Sequence, residues 1–169
     1  MIFFDQKKPD FTAITDFPLN KVGNSYWPEA GSNAFFLALD RNHNGIIDQG
    51  NELFGDNLQD APNGFDVLKK LDTNKDLIFD ERDKEFKNIV LWNDQNADGK
   101  STKEELIPLH QKIKKISLKY TKGDIEYLGK NAQSREHSKI WLVGEKSWSK
   151  KIRIDDIWLQ PAPTALSQK

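Results

Sequence analysis

The apolar positions of this chain change their period near Gln111. Beyond it they alternate with polar ones: Ile116, Leu118 and Tyr120 against Ser117, Lys119 and Thr121, then Ile125 and Tyr127, Ile140 and Leu142, Ile152 and Ile154, Ile157 and Leu159. A period of two puts alternate side chains on one face, which predicts an antiparallel sheet of about three to five strands over 112–160. Gly123-Asp124, Gly129-Lys130-Asn131 and Gly144-Glu145-Lys146 supply its turns. Before Gln111 the pattern is helical but short. Phe65, Leu68 and Leu71 follow Asn63-Gly64 at threefold spacing, and Phe86, Ile89 and Val90 predict a second short helix. The run from Ala34 to Leu39 reads as a buried strand or turn. Residues 1–33, with Pro9, Pro18 and Pro28, read as an irregular arm whose Tyr26 and Trp27 pack on the region 34–111, and Pro161-Ala162-Pro163 opens a disordered tail over 161–169.

Charge changes this picture. The chain has 169 residues and a formal net charge of −1, which hides a division. Residues 40–105 hold 16 acidic and 9 basic side chains, and residues 106–169 hold 6 acidic and 13 basic. An acidic segment is either a solvated surface or a set of cation sites, and the spacing of the acids decides between them.

Asp40-Arg41-Asn42-His43-Asn44-Gly45, Asp72-Thr73-Asn74-Lys75-Asp76-Leu77 and Asp94-Gln95-Asn96-Ala97-Asp98-Gly99 all read Asp-x-Asn-x-[Asn/Asp]. Oxygen side chains at loop positions 1, 3 and 5 wrap a hard cation. Glycine at 6 permits the sharp turn, a backbone carbonyl serves at 7, position 9 ligates directly or through water, and a carboxylate at 12 closes the far side. Any one such cluster is an ordinary turn former, but three at one spacing point to calcium. The third loop fits best, with Asp94, Asn96, Asp98, the carbonyl of Lys100, Thr102 and Glu105. Ser101-x-x-Glu104 and Thr102-x-x-Glu105 both have capping-box spacing, and Pro108 keeps the helix they start brief. The second offers Asp72, Asn74, Asp76, the carbonyl of Ile78, Asp80 and Asp83. Leu77 holds its glycine position, which predicts a left-handed or nearby conformation there at a cost of about 1 kcal/mol and a site that binds more weakly or with a distorted turn. The first offers Asp40, Asn42, Asn44, the carbonyl of Ile46 and Asp48. Its position 12 is Asn51 and Glu52 falls at 13, so either the loop is one residue longer, with Gly50 supplying the freedom, or Asn51 and a water close it. Glu52 is preferred.

These elements give an expected α+β fold: EF-hand-like calcium loops with short helices over 34–111, loops two and three sharing a central helix, followed by a small C-terminal antiparallel sheet over 112–160 packed on them as one domain. Two to three calcium ions are the expected cofactors. With no Cys and with His43, His110 and His137 at no ligand spacing, transition metals are disfavoured. Lys112, Lys114, Lys115, Lys119 and Lys122 read as a solvated strand face rather than a nucleic-acid surface. No apolar run reaches the roughly 18 residues of a membrane span, residues Met1 to Asp5 do not read as a signal peptide, and Ser, His and Asp are too scattered for a catalytic triad. A monomeric, non-enzymatic module is expected.

The run from Leu39 to Asn57 resembles a segment of large secreted bacterial proteins related to RTX cytotoxins, including the FrpC type. Asn63-Gly64-Phe65, Leu71-Asp72, Leu91 to Gly99 with Glu105-Leu106, Ile116 to Tyr120 and Asp156 to Leu159 occur in that family's order, so the similarity covers about residues 27–160. The resemblance implies a calcium-folded module, with neighbouring domains, of a secreted or surface protein of a Gram-negative bacterium, and it favours Glu52 as the closing ligand. It also implies the alternative of calcium-activated self-processing, in which an Asp-Pro bond is cleaved through an anhydride that a lysine captures as an isopeptide. The prolines here follow Lys8, Phe17, Trp27, Ala61, Ile107, Gln160 and Ala162, so a scissile Asp-Pro bond would have to lie outside this sequence.

Overall fold

In the C-terminal part, the alternating segments become strands. The computed structural model describes residues 1–20, 23–55, 61–145 and 151–163. The strands are β1 (Ile2–Phe3), β2 (Ala13–Asn20), β3 (Gly23–Trp27), β4 (Ala34–Leu39), β5 (Ile78–Asp80), β6 (Ile89–Trp92), β7 (Leu106–Pro108), β8 (Ile113–Ser117), β9 (Thr121–Leu128), β10 (Ala132–Leu142) and β11 (Ile152–Leu159). The helices are α1 (Gly64–Lys69) and α2 (Leu109–Lys112), with single 3₁₀ turns at Gly50–Glu52, Phe86–Asn88 and Lys103–Glu105. β10 is the spine of the C-terminal meander. It pairs with β11 from Ala132↔Leu159 to Ile140↔Ile152, and along its other edge with β9 and then β8. Gly129 makes the β9–β10 turn with a positive φ, whereas Gly123-Asp124 lies inside β9 rather than at a turn. Lys146 lies outside the described residues.

The α+β expectation is overturned. The sheet does not stop at residue 112 but runs on in the order β5-β8-β10-β11-β1-β4-β6-β7, a mostly antiparallel half-barrel with only two short helices among the described residues. The helix expected between loops two and three is the 3₁₀ turn Phe86–Asn88 followed by β6. β6 pairs with β4 through Leu37↔Leu91 and Leu39↔Ile89. All six residues of β4 are buried, so both of its faces are covered. A strand buried on both faces reads as a continuous apolar run without alternation, and the threefold spacing of Phe86 and Ile89 comes from the 3₁₀ turn between them.

Residues 1–33, expected as an irregular arm, contain three strands. Ile2 pairs with Ile154 on one side and Phe35 on the other, joining the C-terminal meander to the loop-bearing half. β2 and β3 form a separate two-stranded sheet. Their register shifts between Thr15 and Asn20, the interval containing Pro18, which is where a residue without an N–H is tolerated. The tail begins later than expected: Pro161 bridges Ser25, the Ala162 amide donates to the carbonyl of Asn24 at 2.8 Å, and residues 164–169 lie outside the described residues.

The main core lies on one side of the sheet, where Phe65, Leu68, Phe79, Phe86, Ile116 and Ile140 are buried together. A second cluster of Phe17, Trp27, Phe36, Ile47, Leu53 and Trp92 lies beneath loops one and three. Its Trp27 and Phe36 rings stack with centroids 4.5 Å apart. No described helix is long and apolar enough to cross a membrane.

Gly64 fixes how closely α1 approaches the sheet. Its amide donates to Asp156 Oδ2 at 3.1 Å, and a Cβ there would stand 2.8 Å from the carbonyl oxygen of Phe54. Gly64→Ala is therefore expected to cost about 1–3 kcal/mol through overpacking, read as a lower urea midpoint with an unchanged m-value. An unchanged midpoint would mean that the start of α1 moves freely against residue 54.

Candidate metal centre

The three Asp-x-Asn loops have one backbone. Each turns left-handed at position 4, with φ of 59° at His43, 59° at Lys75 and 57° at Ala97, and again at position 6, with φ of 85° at Gly45, 62° at Leu77 and 71° at Gly99. Leu77 therefore carries the strained conformation that its place in the sequence predicts. Side-chain oxygens hold this shape. At position 1, Asp40, Asp72 and Asp94 accept from the amides of Gly45 (2.8 Å), Leu77 (2.9 Å) and Gly99 (2.8 Å). At position 3, Asn42, Asn74 and Asn96 accept from the amides of Asn44 (3.0 Å), Asp76 (3.0 Å) and Asp98 (3.1 Å). At position 5, the same Asn44, Asp76 and Asp98 accept from the amides of Ile46 (3.0 Å), Ile78 (2.8 Å) and Lys100 (2.8 Å).

A single carboxylate staples both ends of each loop. Glu105 accepts from the amides of Gln95 and Thr102, both at 3.0 Å. Asp83 accepts from Thr73 at 2.8 Å and Asp80 at 3.0 Å. In loop one the equivalent bonds go to Glu52, from Arg41 at 3.1 Å and Gln49 at 3.0 Å, with Asp48 adding a third at 2.9 Å, while the Asn51 carbonyl accepts from Arg41 Nε on the exposed side. The 3₁₀ turns Gly50–Glu52 and Lys103–Glu105 have the same capping box, with Gln49 in the place of Thr102. The extra residue of loop one therefore enters between Ile46 and Gln49, not at Gly50. Asp48 stays turned toward the loop, accepting from Asn44 Nδ2 at 3.0 Å.

Loops one and three are the connections of two β-hairpins. The residue after the closing acid returns to pair with the residue two before the first aspartate, Leu53 with Ala38 and Leu106 with Trp92. The helices of a helix-loop-helix framework are replaced by strands. The two loops also touch, since the Ile47 amide donates to Ser101 Oγ at 2.6 Å. Loop two lies apart, entered from α1 and followed by the 3₁₀ turn Phe86–Asn88, and its own positions 7 to 9 form β5, which pairs with β8.

The closing acids are buried, Glu52 to 1%, Asp83 to 2% and Glu105 to 8% relative exposure. Asp94 is also buried and takes a 2.8 Å hydrogen bond from the indole of Trp27. Burial pushes the Asp94 carboxyl above the usual aspartate range, with Glu105 and Asp98 adding repulsion, against the opposing hydrogen bonds from Gly99 and Trp27. Asp72 is 6% exposed, and its Oδ1 is buried without a hydrogen-bond partner. Among the described residues no three acidic or histidine side chains converge tightly enough to hold a metal ion as they stand, because the carboxylates are spread over amide donors. The donor set nevertheless fits a hard cation: it is made of carboxylate and amide oxygens, and the orphaned Asp72 oxygen lacks a partner that such an ion would supply.

Several contacts at the loops leave no local signal in the sequence. Trp27 lies 67 residues from Asp94. Thr15 and Phe17 of β2 cover Gly99, where a Cβ would come within 2.8 Å of the Thr15 Cβ. Arg82 pairs with Asp76 and Asp80. Of these, the sequence signals only the packing of Trp27 on the loop region.

Gly45 and Gly99 occupy the same loop position but meet different surroundings. A Cβ on Gly45 has nothing within 4 Å, whereas one on Gly99 meets β2. Gly45→Ala is expected to cost about 1–2 kcal/mol from left-handed strain alone. Gly99→Ala should cost about 1–3 kcal/mol more from overpacking, as measured by denaturant unfolding in chelator. Equal losses would show that β2 does not press on loop three.

Comparison with known proteins places this arrangement. Over 90 residues, half of this chain, the sequence is 43% identical to the iron-regulated protein FrpA of Neisseria meningitidis serogroup C. The matched stretch is 8% of that much larger relative. Residues 12–160, which include all three loops and the strands that carry them, match the family described as the SPM domain, and the chain belongs to that family.

Proposed function

We propose that this SPM domain is a calcium-binding module of a larger secreted or surface bacterial protein, in which calcium stiffens the loop-bearing half of the sheet. The observation that supports this reading is the repetition of one cation-type loop three times in different settings, twice as a hairpin connection and once between α1 and a 3₁₀ turn. Unrelated flanks give no packing reason for three loops to share left-handed positions 4 and 6 and a buried closing acid. A common ligand gives one. Loop one would offer Asp40, Asn42, Asn44, the Ile46 carbonyl, Asp48 and Glu52; loop two Asp72, Asn74, Asp76, the Ile78 carbonyl, Asp80 and Asp83; loop three Asp94, Asn96, Asp98, the Lys100 carbonyl, Thr102 and Glu105. Calcium suits such sets better than magnesium, because they supply many oxygens on a flexible frame and leave little room for retained water.

The protein's own part is to place these oxygens, burying Asp72, Asp94 and the three closing acids while positions 3 and 5 of each loop stay exposed. Trp27 holds one oxygen of Asp94, and the aromatic cluster beneath loops one and three closes their inner side. A bound divalent ion would supply positive charge to carboxylates that, in loops one and three, are held by hydrogen-bond dipoles and the indole. Binding would therefore contribute folding free energy.

Titration calorimetry is expected to find two to three calcium sites, with dissociation constants on the order of 10⁻⁴–10⁻³ M, the range of extracellular modules. A site filled to about 100 times its dissociation constant gains about 2.7 kcal/mol, so Tm should rise by roughly 5–10 °C over chelator. Asp72→Asn and Asp94→Asn should each remove one site. No heat up to about 10 mM calcium, ten times the weakest expected dissociation constant, together with a Tm identical to that in chelator, would reject the reading.

A further inference from the structure

Loop two differs from the other two in the residue that precedes its closing acid. That residue is Arg82, where loop one has Asn51 and loop three has Glu104. The Arg82 guanidinium lies across the loop: Nη2 is 2.6 Å from Asp76 Oδ2 and 2.8 Å from Asp80 Oδ2, and Nε donates to Asp80 Oδ1 at 2.9 Å. It thus neutralises the side chains at positions 5 and 9, two of the four acids that the loop offers to a cation. The charges at the other end are not reached in this way. Asp72, at position 1, has Oδ2 on the Leu77 amide and Oδ1 buried with no partner. One side of the loop is filled by a tethered cation and the other has an unsatisfied oxygen.

Resting on the calcium reading above, we propose that Arg82 is a built-in competitor for loop two, which calcium must displace from Asp76 and Asp80 before it can reach all four acids. The arginine side chain is 55% exposed, so it can swing into solvent without disturbing the core. Exposed ion pairs are individually weak, so the competition sets a threshold and does not block the site. Loop two fills after loops one and three, and Arg82 determines by how much. In chelator the same contact gives loop two a counter-charge, so that it keeps its shape while metal-free.

The experiment is a calcium titration of the whole chain followed by NMR. The amides of Leu77 and Ile78 report loop two, those of Gly99 and Lys100 report loop three, and the Arg82 Nε–H reports the competitor. In the wild type the Nε–H signal should move with the midpoint of Leu77 and Ile78, and later than Gly99. Arg82→Gln should shift the loop-two midpoint to about twofold to fivefold lower calcium, from the modest worth of an exposed ion pair, and leave loop three unchanged. Arg82→Lys, which keeps the charge without the fork, should fall between them. Loop-two amides that respond with the same midpoint in wild type and Arg82→Gln would overturn the role of Arg82 while leaving calcium binding intact. An Arg82 Nε–H signal that stays fixed while Leu77 and Ile78 move would overturn it without any variant. No response in any loop up to 10 mM calcium, a ceiling about ten times the weakest extracellular sites, would overturn this proposal and the calcium reading together.

Discussion

The closing carboxylate is the contact on which the loop-bearing half of the molecule depends. Glu52, Asp83 and Glu105 each accept amide hydrogens from both ends of a loop of about a dozen residues. Hydrogen bonds to a charged acceptor are worth roughly 1.5–3 kcal/mol each, and two on one side chain fix where the chain leaves and where it returns. In loops one and three the return is a strand pairing, so the carboxylates set the register of Leu53 on Ala38 and Leu106 on Trp92. Between those two attachment points lie the left-handed residues at positions 4 and 6, where the position-6 amide turns back to the aspartate at position 1.

That solution concentrates negative charge inside a β protein. An isolated buried charge costs several kcal/mol even after relaxation, and at loop three Asp94, Asp98 and Glu105 repel one another. The fold answers with dipoles: amide hydrogens on each carboxylate and the Trp27 indole on Asp94. Trp27 is itself fixed by stacking on Phe36 and by Phe17 and Trp92 nearby. The aromatic cluster therefore does two jobs, burying apolar area and aiming one polar atom at an acid. Dipoles organise the loop without neutralising it, which is why an added cation fits the proposed function.

How much of the fold and of the loops is legible in the sequence depends on whether the signal is local. The alternating segments from Ile113 onward become strands, with the apolar positions Ile113, Ile116, Ile140, Ile152 and Ile154 on a covered face, although Ile125 and Tyr127 of β9 stay exposed and that strand is held by its pairing with β10. Asn63 is legible as the start of α1, where its side chain accepts from the Asp66 amide. The left-handed Leu77 can be read because loop arithmetic assigns a conformation to a position whatever residue occupies it. β4 and β6 carry no alternation because both faces are covered, and that makes β6 look helical. β1 has two residues and no pattern at all; it is a strand only because β11 and β4 accept it. The proline-rich start of the chain hides β2, whose pairing is interrupted around Pro18. Trp27 on Asp94 and Ile47 on Ser101 join residues far apart in sequence, so only the fold reveals them.

The division of charge along the chain also closes within the fold, and it does so at loop two. Its acids lie where the acidic segment meets the basic one in space: β5 pairs with β8, and Asp80 stands opposite Lys115. Hydrogen bonds from Arg82, with Lys115 adding its field, hold the Asp80 carboxyl below the usual aspartate range, the reverse of what burial does to Asp94 in loop three. Two loops with one backbone thus have opposite electrostatics because of their neighbours. Loop three faces aromatic rings and a single indole, whereas loop two faces two full positive charges. The shared loop geometry sets where a cation would sit, and the residues beyond it set how strongly each loop needs one.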